Sequence, residues 1–382
     1  MSHSPSNELY QFLHRPQQLW WRKVMFQIHL WVGIVLALYV VVIGLTGSIL
    51  VFREELTAAS HRELFRAHGD PTVIASIETV YAQVRAAYPD DSVQSIFLPY
   101  GQCENYTAYL SGPRALIVFA DSADGHVIGQ TDRARFWISW VQKLHFCLLA
   151  GSVGELANGI CAALLLILCL TGLILWWPGL RNWTQALSIR MYASWRRVNY
   201  DAHRAVGFWT LAIVCMWAVT GMTFVWSRQA AELVNYFSPV TNAEPPSFTV
   251  APAPVGTVPL APSVLIQQAL VRYPQTQLEG VLFPKNAHAP LVVMLARETM
   301  GNTRATNYLY FDPLRGRLLG AWERGINRTA GDSLVSLFGP IHFGVYWGVG
   351  VKAIWALAGL SLPLLSITGL LMYWNLKLRR AM

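Results

Sequence analysis

Four stretches of the chain, 28–52, 156–180, 205–227 and 353–376, contain no Asp, Glu, Lys or Arg. Each is long enough to cross about 30 Å of hydrocarbon, which takes about 20 helical residues. Helix is the form open to them, because lipid offers backbone polar groups no partner. Charged residues make up 13% of the chain, about half the share of a soluble protein, so a soluble or disordered fold is excluded. The first stretch does not read as a cleavable signal peptide, since it is too long and Arg53-Glu54-Glu55 follow it directly. The five cysteines lack Cys-x-x-Cys spacing and suit neither a disulfide framework nor a zinc site.

Lys and Arg near the span ends set the orientation. Segment 1–27 holds Arg15, Arg22 and Lys23, and segment 181–204 holds Arg181, Arg190, Arg196, Arg197 and Arg204. The tail, 377–382, holds Lys377, Arg379 and Arg380. These three segments share one side, carry only Glu8 and Asp201 as acids, and are expected to be cytoplasmic, with both termini. Segments 53–155 and 228–352 then face outward. The net charge of +8 is therefore a topology signal: membrane lipid is an expected partner and nucleic acid is not.

The two halves of the chain repeat. His29 and Gly33 match His203 and Gly207, and Thr46-Gly47 match Thr220-Gly221, at an offset of 174. His145-Phe146 match His342-Phe343, and Thr171-Gly172 match Thr368-Gly369, at an offset of 197. The outward segments repeat as well. Each is expected to hold a helix, 77–88 or 264–273, followed by strands at 93–98, 106–110 and 115–119 or at 280–283, 291–295 and 308–311. The stretch 239–262, rich in proline, reads as an extended connector. The fold class expected is membrane α-helical: four transmembrane helices in two parallel repeats, each with a small α+β module.

Four histidines are tied to the repeat. His29 and His203 begin spans one and three, and His145 and His342 precede spans two and four on the other side. Histidine near or within a membrane is costly and points to function, although helix-to-helix hydrogen bonding or a proton relay also suits it. A symmetric pair meets the need of a haem iron, which takes one nitrogen from each of two axial imidazoles. Gly33 and Gly207 lie one turn beyond their histidines on the same helix face, where a missing side chain leaves room for a flat porphyrin. Close helix packing is the plainer use of such glycines. The sequence therefore predicts two b-type haems, one per side, ligated by His29 with His203 and by His145 with His342. Arg22, Lys23, Arg197 and Arg204 can pair with haem propionates or serve topology alone.

In the order His-x-x-x-Gly, Thr-Gly-x-x-x-x-Phe/Trp, then a turn such as Phe311-Asp312-Pro313-Leu314-Arg315-Gly316, the chain resembles the PepSY-associated transmembrane family of bacterial inner-membrane proteins. The first module departs from the turn pattern with Ala120-Asp121-Ser122. The resemblance spans about residues 20 to 377 and is nearest in type to ferric-siderophore (ferrioxamine) reductases. It implies PepSY-like periplasmic modules and electron transfer to a ferric hydroxamate siderophore, reducing Fe³⁺ to Fe²⁺ for release.

No Gly-x-Gly-x-x-Gly follows an expected strand, and the cytoplasmic segments are too small for a dinucleotide domain, so the donor is expected to be quinol or a separate cytoplasmic reductase. A haem b subunit of a quinol oxidoreductase chain is one alternative; a non-enzymatic membrane sensor or chaperone, which needs no cofactor, is another. Tyr106, Tyr109, His126, His288 and Tyr346 are outward residues able to line a substrate site, and equally serve as module surface or core.

Overall fold

The computed structural model describes residues 5–381 apart from 68, 70–72, 113–114, 133–135, 243, 253, 255, 300–302, 325, 327 and 347. In chain order its helices are α1 (Pro5–His14), α2 (Trp20–Leu50), α3 (Arg53–Ser60), α4 (Arg62–Phe65), α5 (Ile77–Ala87), α6 (Trp137–Cys147), α7 (Gly151–Trp176), α8 (Trp195–Val225), α9 (Ser227–Phe237), α10 (Pro262–Arg272), α11 (Ala330–Phe343) and α12 (Val349–Ala381). The strands are β1 (Ser92–Phe97), β2 (Tyr106–Ser111), β3 (Leu116–Ala120), β4 (Val127–Asp132), β5 (Gln277–Leu282), β6 (Leu291–Thr299), β7 (Thr303–Phe311) and β8 (Leu318–Glu323).

The uncharged stretches fall mainly in α2, α7, α8 and α12, which end at Leu50, Trp176, Val225 and Ala381, and each of these helices is long and apolar enough to cross a membrane. Their outer faces leave residues such as Val35, Leu38 and Leu357 more than two-thirds exposed, a surface stable only against lipid. This is a membrane protein. α2 and α8 each pack against both α7 and α12, which closes a four-helix ring. Small residues bring α2 onto α12: Ser48 Oγ donates to Gly44 O at 2.8 Å and, across the interface, to Ala356 O at 2.9 Å. A Cβ on Gly44 would lie 2.7 Å from Gly359 O. Gly44→Val is therefore expected to cost about 1–3 kcal/mol by overpacking. A thermal melt of the protein in detergent checks this, and an unchanged midpoint would refute it.

Beyond one end of the ring all eight strands form a single antiparallel sheet, in the order β4-β3-β2-β1-β5-β6-β7-β8. That order reads alike from either edge. The separate modules expected from the sequence are instead joined, with β1 paired to β5 through Ser95–Leu282, Ile96–Val281 and Phe97–Gly280. The joint removes two open strand edges that would otherwise template aggregation. α5 and α10 cover one face, burying Val80, Val84, Leu265 and Ala269 against alternate residues of the strands, among them Ile96, Val118, Val293 and Leu309. Strands β4 and β8 were not foreseen because Gly129 and Gly320 weaken their pattern. Those glycines admit Leu64 of α4 and Phe248 of the connector against the sheet. The connector thus lies on the second module, where Val250 is buried and donates its N–H to His288 O.

Candidate functional site

The four histidines form two pairs, at opposite ends of the ring. At the end carrying the chain termini, His29 of α2 and His203 of α8 have ring centroids 6.4 Å apart and planes at 90°. At the sheet end, His145 and His342 line one cavity of about 550 Å³, together with Tyr39, Gly47, Trp217 and Gly221. That volume lies within the range of cofactor sites. The sequence placed this second pair at the mouths of spans. The structure puts each histidine in the last turn of its own short helix, α6 or α11. α6 ends abruptly in Leu148 and Leu149, both left-handed at φ 49° and 60°, and α11 ends in Gly344 at φ 65°.

Each imidazole is held by the threonine of a Thr-Gly pair on a neighbouring helix. Nδ1 of His29 lies 3.0 Å from Thr171 Oγ1, and Nδ1 of His203 lies 3.0 Å from Thr368 Oγ1. His145 meets Thr46 at 2.8 Å and His342 meets Thr220 at 2.7 Å. The hydroxyl protons are already committed to carbonyls one turn back, Val42, Ile167, Met216 and Leu364, at 2.7–2.8 Å. The threonine oxygens therefore accept, and each histidine donates from Nδ1. The network assigns the Nδ1–H tautomer and leaves Nε2 with its lone pair, the form that binds metal. For His145 and His342, on helices outside the spans, burial holds the imidazole well below the usual histidine range and so neutral.

The glycines divide into two groups. A Cβ on Gly47, Gly172 or Gly369 would lie 3.1–3.3 Å from Cε1 of His145, His29 or His203, so these glycines make room for the rings. At Gly33 and Gly207 a Cβ would make only ordinary contacts, at 3.9 Å and 3.6 Å, with Leu168 and Leu365. Helix packing does not demand glycine at those two positions, unlike at Gly44. The threonines were missed as site residues in the sequence, although their repeat offsets equal those of the histidines.

The His29 and His203 ring centroids, 6.4 Å apart, leave room for a metal centre that both imidazoles would hold. Each pair supplies only two nitrogens. Among the described residues, the group of three whose ligand atoms all lie within 4.8 Å is Asp121, Asp124 and His126, on the sheet module. A bare ion wants more ligands than a histidine pair offers, whereas a macrocycle brings its own four. The pairs thus suit a porphyrin better than a lone ion.

The basic residues near His29 and His203 are largely engaged elsewhere. Arg22 donates to the carbonyls of Ile174 and Leu175 at the end of α7. Arg190, Arg197 and Arg204 surround the fully buried Asp201 carboxylate at 3.0, 3.1 and 3.6 Å, tying the loop to the start of α8. Lys23 is exposed. None of the five outward candidates lines the cavity. Tyr106 belongs to the sheet core, its hydroxyl donating to Ala75 O, and Tyr109 packs edge-on against Phe97. His126 pairs with Asp124 at an exposed turn, His288 lies under the connector, and Tyr346 is half-buried just beyond α11.

A family model described as PepSY-associated TM region matches residues 26–375. No curated protein matches the chain.

Proposed function

The chain belongs to the PepSY-associated TM family, and we propose that it is a di-haem oxidoreductase of the bacterial inner membrane that delivers electrons to a periplasmic ferric hydroxamate siderophore of the ferrioxamine kind. In this reading the termini are cytoplasmic, the sheet is periplasmic, and the chain is a parallel duplication. His29 and His203 hold one haem b, and His145 and His342 hold the other.

The observation that carries the reading is four imidazoles in two pairs, each fixed by a threonine in the metal-binding tautomer. Haem b, held by these histidine pairs, would supply reversible one-electron transfer. The protein's own residues do the rest. The threonines orient the ligands, Gly33 and Gly207 leave each helix face flat, and the apolar ring excludes water. His29 and Thr46 mark the two levels on α2, 17 residues or roughly 25 Å of helix apart, so the pairs span most of a bilayer. At the sheet end an electron reaches a ferric complex whose hard oxygen donors hold Fe³⁺ better than Fe²⁺, so reduction favours release. The donor on the opposite side is quinol or a cytoplasmic reductase.

Haem per chain, measured by pyridine haemochrome, tests the reading: two are expected, and fewer would overturn it. The perpendicular His29 and His203 planes predict a strongly anisotropic low-spin ferric EPR signal for that haem, and the rhombic type given by parallel planes would contradict it. Failure to reduce ferrioxamine in proteoliposomes, with both haems present, would favour the quinol-chain role instead.

A further inference from the structure

The short helices carrying the sheet-end histidines are anchored by different chemistry in the two halves. His145 and His342 sit in last turns, where backbone carbonyls lack donors within the helix. Leaving such a group buried and unpaired is costly. On α7, Asn158 Nδ2 donates to His145 O at 3.0 Å and to Phe146 O at 3.1 Å. Two acceptors on that side fix the amide's orientation, so Oδ1 faces Tyr39 and accepts its hydroxyl at 2.7 Å. The position matching Asn158 in the repeat is Trp355, whose Nε1 donates to Ile341 O at 2.9 Å. Trp217 Nε1 adds a bond to His342 O at 3.0 Å. Tyr39 matches Ile213 and Trp217 matches Ile43, neither of which has a side-chain donor. Tyr39, Asn158, Trp217 and Trp355 all line the cavity.

We infer that Asn158, braced by Tyr39, is the positioning residue for His145, and that Trp217 and Trp355 position His342. The two histidines that would hold the sheet-end haem are thereby anchored by different chemistry. The threonines set the tautomer of each ring, while these four residues set the backbone from which it hangs. One ligand helix is clamped by a small amide under a phenol. The other is clamped by two indoles in edge contact, 6.3 Å apart at 82°. Removing the Asn158 amide takes the side-chain donor from the His145 and Phe146 carbonyls and the nearer acceptor from the Tyr39 hydroxyl. The inference rests on the di-haem reading.

The test compares full-length, haem-loaded protein with Asn158→Leu, Tyr39→Phe and Trp355→Phe, by ferric EPR and redox titration. The sheet-end signals are those that survive in His29→Ala/His203→Ala. Asn158→Leu is expected to shift the sheet-end EPR signal and midpoint, and to speed loss of that haem to apomyoglobin, with the terminal-end haem unmoved. Tyr39→Phe keeps both Asn158 bonds to α6 and shifts the same signals by less, and Trp355→Phe shifts them through the other ligand. If Asn158→Leu does not fold, Tyr39→Phe decides. Sheet-end signals that superimpose on wild type in these variants would overturn the inference alone. Wild-type protein without haem would overturn the functional reading, and this inference with it.

Discussion

Replacing His29 and His203 together by alanine is expected to lower haem content from two per chain to one and to abolish reduction driven from the terminal side. The reason is geometric. His29 and His203 come from opposite walls of the ring and bond Thr171 and Thr368, whereas the other pair hangs from α6 and α11 and bonds Thr46 and Thr220. No ligand or threonine is shared, so the sheet-end haem should stay bound and remain reducible by dithionite added on its own side. A reduced-minus-oxidised spectrum should keep one α-band component and lose the other. Equal loss of both haems would show that the sites are not independent, and an unchanged spectrum would remove the histidines from ligation.

The second large effect is expected at the threonines. In Thr171→Val and Thr368→Val the hydroxyl is lost at nearly constant volume, and the histidine Nδ1–H loses its main acceptor inside the membrane. Partners of this kind typically contribute about 10–100-fold to the affinity of a metal site. Haem titration of the apoprotein should show a weakening of that order at the terminal end only. Serine, which keeps the hydroxyl, should restore most of it. Valine variants that bind haem as tightly as wild type would mean that the threonines do not orient the ligands. Alanine at Gly172 or Gly369, 3.2–3.3 Å from a histidine Cε1, supplies a separate perturbation of ring position.

Much of this architecture is legible in one dimension. A lipid-crossing helix needs an unbroken uncharged run, so α2, α7, α8 and α12 announce themselves. The matched offsets single out four of the ten histidines. The helices α5 and α10 and six of the strands also follow from periodicity. Less legible are α6 and α11, which are short, apolar and contiguous with span-like sequence. Strands β4 and β8, each interrupted by glycine, fall outside the expected strands. Arg197 and Arg204 look like free cations until the fold brings Arg190 and both of them onto Asp201.

Composition and spacing by themselves determined that four helices are long and apolar enough to cross a membrane and that four histidines stand at matched offsets, because hydrocarbon excludes charge. Only the tertiary structure decided which threonine meets which histidine, at separations of 99 to 165 residues, and that two modules share one sheet. Those contacts depend on how helices cross and which way side chains lean from them. Neither is written in the period of a single helix.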